Sequence, residues 1–338
     1  MKSSIEKYGA KIEAGSINPV VNVEKHPGGI VFDPADDATP LDVAGFGIFK
    51  LNGSSGKTET QGREYVLVPT DGRFTVKTEN QTYLLERIGG AFAAAIGASN
   101  ASAVYIPRDS SFEVSGTGEI IYFSAPSSKK MKPMQIAQKE KPNLSRGNLF
   151  WRRDVITLVE PGVSTNLIVG ETWSPPALWS GTPLHIHDDD TVQNESAHEE
   201  VYYHITPMSG REVPNYTVQL MFDGKSMNKA FLCPNKTAVA IPGGSHPVVA
   251  SPVSDSLYVW GLAGKEGPLG MRDLKDFAYM KLLGPFEQKL RKSHDSKFTI
   301  TVPRAKLDAF IKENNLDTLQ ARVSELTLRE WGIAFTQT

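Results

Sequence analysis

The chain has 338 residues, a formal net charge of −2, 40% hydrophobic residues and 22% charged residues. Those proportions exclude a disordered chain, and the near-neutral balance supplies no electrostatic reason to expect nucleic acid or an anionic membrane as partner. The single cysteine, Cys233, excludes an intrachain disulfide, and with no charged or histidine neighbour in sequence it reads as a buried structural thiol.

No apolar run approaches the roughly 20 residues of a spanning helix, and the first residues lack the apolar core of a signal peptide. The expectation is a cytoplasmic protein acting on a small molecule. Glycine and proline punctuate the chain as far as about residue 270. Between them, residues 63–68, 73–77, 103–106 and 119–123 read as strands. So do residues 166–169, 200–204, 217–221, 238–241 and 257–260. Many short strands with turn signals and no amphipathic helices between them predict an all-β sandwich or barrel. Residues 126–150 are polar and rich in lysine and proline, as in a linker between two β units. The expected division is therefore a first unit over 1–125, a second over 151–280 and a tail over 281–338. In the tail, apolar residues recur at helical spacing over 303–314 and 316–328, which predicts a helical extension. Such a tail is a candidate contact with a neighbouring copy.

A weak internal repeat supports two units. Glu64-Tyr65-Val66 precedes Ile106-Pro107, and Glu200-Val201-Tyr202 precedes Ile241-Pro242. On this reading Glu64 matches Glu200, and Ser111 stands where the second copy has His246.

Five of the seven histidines fall between residues 185 and 246. His185-Ile186-His187 would send two imidazoles to one face of a strand. Glu200 opens a strand, and His246 follows a Pro-Gly-Gly turn. Three imidazoles and a carboxylate form a donor set for one divalent ion: Zn, Mn, Fe, Co or Ni. Glu195 and Glu199 compete for the carboxylate role, and strand register favours Glu200. Tyr202 and His204 share the face of Glu200, so either could serve in proton transfer. Asp188 is a candidate to hold an imidazole tautomer, and His198 reads as a solvent-facing loop residue.

The strings Pro183-Leu184-His185-Ile186-His187-Asp188, Glu195 to Tyr203, and Ala240-Ile241-Pro242-Gly243-Gly244-Ser245-His246 resemble the 5-deoxyglucuronate isomerases of inositol catabolism. These are bicupins related to the 5-keto-4-deoxyuronate isomerases. In the first half, Arg63 to Val68 and Ala103 to Pro107 fit as well, with Arg146-Gly147 and Arg153 in the junction. The resemblance covers about residues 20–280. It implies two jelly-roll-like barrels with metal only in the second, held by His185, His187, Glu200 and His246. It also implies conversion of 5-deoxy-D-glucuronate to 5-dehydro-2-deoxy-D-gluconate. Base candidates are His204, Tyr202 or a metal-bound hydroxide. Gln219, Arg153 and Lys225 are candidates for binding the substrate, with Lys229 and Arg272 as further cations. The chain departs from the family at Leu220, where an arginine is usual, and at His204 and Ser245, where tyrosines are usual. The rival expectations are a metal-dependent cupin dioxygenase and a sugar-binding bicupin without turnover.

Overall fold

The computed structural model describes residues 3–95, 97–139, 144–147, 149–207, 215–278, 299–330 and 333–336. Strands dominate, as expected. Two seven-stranded sheets and a four-stranded sheet account for most of the chain. The first large sheet runs Gly29–Phe32, Gly45–Glu59, Ser111–Pro126, Arg63–Thr78, Ala101–Ile106 and Met134–Lys139, with Thr82–Arg87 added against Arg63–Thr78. Residues 63–68 and 73–77 thus belong to one long strand, with its register broken between Pro69 and Asp71. Gly72 and Gly118 face each other just past that break with φ of 103° and 122°. A Cβ on Gly72 would strike the Thr117 carbonyl, so only glycine permits the close crossing.

The second large sheet runs Val20–Asn22, Thr237–Ile241, His198–Ile205, Ser256–Gly264, Leu167–Ser174, Arg153–Val159 and Leu144–Arg146. Opposite it lies the four-stranded sheet Trp179–Ser180, Val248–Ala250, Tyr216–Phe222 and Asn228–Pro234. The N-terminal residues build onto this second unit. Val20–Asn22 pairs with Thr237–Ile241, and helix Ile5–Glu13 buries Ile5, Tyr8 and Ile12 against Met221 and Met227. Residues 126–150, read as a linker, contain the strands Met134–Lys139 and Leu144–Arg146. Their polar side chains hid short edge pairings, which need only backbone hydrogen bonds.

Burial patterns separate the roles of the strands. Tyr216–Phe222 alternates, burying Thr217, Gln219 and Met221. His198–Ile205 is buried along nearly its whole length. Its Val201 and Tyr203 join Phe46, Val66 and Phe123 of the first unit in the core between the two large sheets, while Tyr202 faces its own barrel with Val239, Ile241 and Tyr258. Burial of each such side chain contributes about 1.5–3 kcal/mol. The interior of the first unit is filled by Leu67, Phe74, Phe112, Val114, Ile120 and Tyr122.

Two carboxylates clamp the units reciprocally. Glu64 accepts hydrogen bonds from the backbone N–H groups of Thr165, Asn166 and Leu167. Glu199 accepts from those of Asp42, Val43 and Ala44. Ladder register makes these two residues equivalents: Tyr65 pairs with Ile106 as Glu200 pairs with Ile241. The repeat therefore matches Glu64 to Glu199 and Tyr65 to Glu200, one residue off the sequence alignment. A one-residue slip reverses the face of every side chain.

Cys233 is buried, and burial pushes its thiol up to about 12. The tail forms helices Arg304–Glu313 and Thr318–Glu330, bracketed by a parallel pair of strands, Ile300–Pro303 and Ile333–Thr336. The rest of the expected tail, 281–298, lies outside the described residues. Arg322 ties the second helix down, with its Nε 2.8 Å from Asp255 Oδ2 and its guanidinium over Phe92 and Trp173. Among the described residues no helix is long and apolar enough to cross a membrane.

Candidate metal centre

Strand His198–Ile205 carries Glu200, Tyr202 and His204 to the barrel interior. The turn after Thr237–Ile241 returns His246 to the same region, and the segment after the short strand His185–Ile186 supplies His187. One donor atom from each of His187, Glu200 and His246 lies within 4.8 Å of the others, and all three residues are buried. Glu200 Oε2 is 3.0 Å from His246 Nε2 and 3.5 Å from His187 Nε2.

The imidazoles are oriented for metal binding. His187 Nδ1 lies 3.1 Å from the His198 carbonyl, and His246 Nδ1 2.7 Å from that of Gly244. His185 Nδ1 lies 2.8 Å from the Pro183 carbonyl. A carbonyl only accepts, so each Nδ1 carries a proton, and Nε2 is the atom that each ring, once neutral, can offer an ion. The donor set therefore fits a divalent metal, with hard and borderline ligands in a dry setting.

Burial pushes the Glu200 carboxyl upward, but hydrogen bonds from His187 and His246 outweigh it and hold it at about 2. Burial likewise opposes the charged form of His187, and its hydrogen bond to Glu200 wins, raising that ring. His185 borders the cluster without joining it. Its strand pairs with Arg272–Asp273 rather than with a barrel sheet, and burial beside His246 and His187 pulls it down to about 4.

Other expected residues fall into place or out of it. Tyr202 sits between His246 and His204, its ring 5.7 Å from the first and 6.1 Å from the second. Gln219 is buried, donates from Nε2 to the His246 carbonyl at 2.8 Å, and leaves Oε1 without a partner. Arg153 is buried at the start of its strand. Lys225 is exposed in the turn between Tyr216–Phe222 and Asn228–Pro234, outside the cluster. Asp188 holds no imidazole. It accepts from Gly244 N–H at 3.0 Å and from Ser3, bracing the turn that carries His246. Its side chain was free to reach either partner, and only the fold brings the turn closer. His198 is buried rather than solvent-facing, because it begins a central strand. Of the competing carboxylates, Glu195 braces the loop through Asp188 N–H and Arg272, and Glu199 is the clamp described above.

Sequence reasoning missed Tyr258 and Thr217. Tyr258 stacks on Tyr202 at 4.4 Å. Thr217 Oγ1 lies 2.9 Å from His204 Nδ1 and 3.4 Å from the Cys233 carbonyl. His204 Nε2 meets no partner at hydrogen-bond distance among the described residues, and a weaker interaction with the Gln219 side chain partly offsets the effect of burial on the ring. Alternation of Tyr258 with Trp260 in a strand was the available signal for the first; nothing in the sequence pointed to the second.

Burial lowers His204 to about 3. Its folded value lies below the unfolded one, so stability is fully present above pH 6.5 and is lost as pH falls toward 3. Denaturant titration of metal-free protein should show roughly 2 kcal/mol less stability at pH 5 than at pH 7 from this group. His204→Gln should flatten that part of the profile, and an unchanged slope in the variant would refute the assignment.

Two jelly-roll-like units, with a histidine–carboxylate cluster in the second, make this protein a bicupin. The chain belongs to the KduI/IolB family, whose sequence profile matches residues 21–280. It is 30% identical to the 5-deoxy-glucuronate isomerase of Bacillus velezensis over 244 residues, 70% of this chain and 86% of that protein. It is 28% identical to the enzyme of the same name from Shouchella clausii over 269 residues, 78% of this chain and 96% of that one. Among solved structures, an IolB-like protein from Salmonella typhimurium LT2 superposes with a TM-score of 0.66 at 22% identity, over 78% of this chain and 99% of the other. A mutant of Bacillus subtilis oxalate decarboxylase shares the fold at a TM-score of 0.50 and 9% identity, over 76% of this chain and 80% of its own. The chain is thus a member of an enzyme family, and its named relatives are isomerases.

Proposed function

We propose that this protein is a metal-dependent aldose–ketose isomerase of a sugar acid. The substrate we assign is 5-deoxy-D-glucuronate, converted to 5-dehydro-2-deoxy-D-gluconate in inositol catabolism. The carrying observation is the buried His187, Glu200 and His246 cluster with each imidazole Nδ1 committed to a backbone carbonyl. These three residues, with His185 as fourth donor, would hold one divalent ion of the set Zn, Mn, Fe, Co or Ni. Such an ion supplies Lewis-acid polarisation of the substrate carbonyl.

Isomerisation moves one hydrogen from C2 to C1, removes the proton on O2 and places one on O1. The chain offers complementary groups for the two oxygens. Burial, reinforced by the Glu200 charge, keeps the Tyr202 phenol well above its ordinary pKa, so it holds a proton to donate to O1. His204 is neutral, and with its proton on Nδ1 its unpartnered Nε2 would accept from the O2 hydroxyl. An imidazole held at about 3 is a weak base toward carbon. Both residues are therefore assigned to the oxygens rather than to C2.

The test is an NMR assay of uronic acids with elemental analysis of the same sample. The expected result is ketose formation that stops on metal stripping and returns with one divalent ion. Oxygen uptake without isomerisation would instead identify a dioxygenase. Ligand stabilisation that survives stripping, without turnover, would identify a binding protein.

A further inference from the structure

Several cations of the second unit already have anionic partners. Arg272 pairs with Glu195 at 2.6 Å, Lys236 with Glu119 at 2.8 Å, and Lys229 with Glu13 at 3.8 Å. Arg153 differs. Its side chain is buried, and its Nη1 donates to the carbonyls of Thr182 at 2.8 Å and Trp151 at 3.1 Å. Among the described residues no carboxylate pairs with it. Two neutral carbonyls do not neutralise a buried guanidinium, and an unpaired buried charge is costly.

The position of Arg153 says which anion would complete it. Its charge is felt at His185, Tyr202 and Tyr258, so it faces the interior that holds the metal cluster. Continuing the ladder in which Asp154 pairs with Trp173 puts Arg153 opposite Ser174, and Ser174 pairs with Ser256 on the next strand. Ser174 Oγ, Ser256 Oγ and Thr182 Oγ1 are buried without partners. A cation lacking an anion beside three unsatisfied hydroxyls suits a ligand with a carboxylate and neighbouring hydroxyls.

Leu220, where the family's arginine is usual, cannot take this role. Tyr216–Phe222 turns Thr217, Gln219 and Met221 inward, so residue 220 faces away from the barrel interior.

We propose that Arg153 binds the substrate carboxylate, at the end of the sugar acid remote from the carbonyl, and so sets the preference for acids over neutral sugars. This rests on the isomerase reading and adds the residue that selects the substrate class.

The experiment measures kcat, KM and metal content for wild type, Arg153→Met and Arg153→Lys with 5-deoxy-D-glucuronate. Inhibition by the neutral analogue, bearing a hydroxymethyl group in place of the carboxylate, is measured alongside. For Arg153→Met the expected result is a KM raised by about 100-fold, from the loss of a charged hydrogen-bonded pair. Metal content should stay at the wild-type level, kcat and the inhibition constant of the neutral analogue should stay within about threefold, and Arg153→Lys should recover part of the KM. The proposal is overturned if acid and neutral ligands weaken in parallel, if metal content falls, or if the acid's KM does not move. If wild type isomerises no sugar acid, the isomerase reading itself falls. Turnover with an unmoved KM removes only the role of Arg153.

Discussion

Glu200→Gln should yield a folded protein that no longer retains a divalent ion through dialysis and isomerises its substrate at least about 1,000-fold more slowly, since the metal supplies several kcal/mol of charge stabilisation. The side chain keeps its shape, so the barrel has no reason to collapse. What is lost is the only carboxylate in the cluster. A neutral amide is a poor partner for a dication, and two or three imidazoles must then carry the full charge alone. Replacing an outer hydrogen-bond partner typically costs metal affinity about 10–100-fold; removing a ligand should exceed that. His187 should change as well. Its raised pKa depends on Glu200, so in the variant burial prevails and that pKa falls. Elemental analysis after gel filtration and the NMR rate are the two measurements. A variant with wild-type metal stoichiometry would remove Glu200 from the ligand set.

The largest effect on stability is expected far from the metal. Arg87 and Glu171 form a bidentate pair across the two units, with Nη1 2.5 Å and Nη2 2.8 Å from the carboxylate oxygens and both side chains fully buried. Arg87→Met leaves Glu171 buried and unpaired, which should cost about 3–5 kcal/mol. Removing both charges in Arg87→Met/Glu171→Leu should recover most of the loss, because a buried pair and a well-packed apolar pair are of similar worth. Urea midpoints at pH 7 decide it. A single variant within about 1 kcal/mol of wild type would mean that water or a rearranged cation reaches Glu171.

Arg87 and Glu171 show why part of the fold was not legible in the chain. Eighty-four residues separate them, and nothing local to either marks the other as its partner. Their pairing exists because the sheets of the two units stack, and that stacking also explains why His198–Ile205 has no solvent-exposed face. The repeat showed the same limit. Its proline landmarks were visible, but a one-residue difference in spacing admits two alignments, and only the ladders show that Glu64 matches the clamp Glu199. The preference for Glu200 leaned on that alignment, which the ladders shift by one residue; its place beside His187 and His246 rests instead on alternation, since Glu200, Tyr202 and His204 share one face. Asp188 and His198 were misplaced because a carboxylate in a turn and a histidine beside a loop each have several local partners, and the chain that arrives from elsewhere selects among them. Arg153 was one of several cations in the sequence. It stands out only when Arg272 and Lys229 are seen paired and Lys225 exposed.

The sequence by itself determined the class of structure, the unit that carries the histidines and the donor types that converge, because strand alternation and turn chemistry act over a few residues. The tertiary structure alone decided which ring nitrogens are free for an ion, which acids are clamps rather than ligands, and which cation is left without an anion. Each of those depends on a backbone carbonyl, an amide row or a carboxylate delivered from a distant strand. No local pattern encodes such an encounter, and the free energy of folding brings it about.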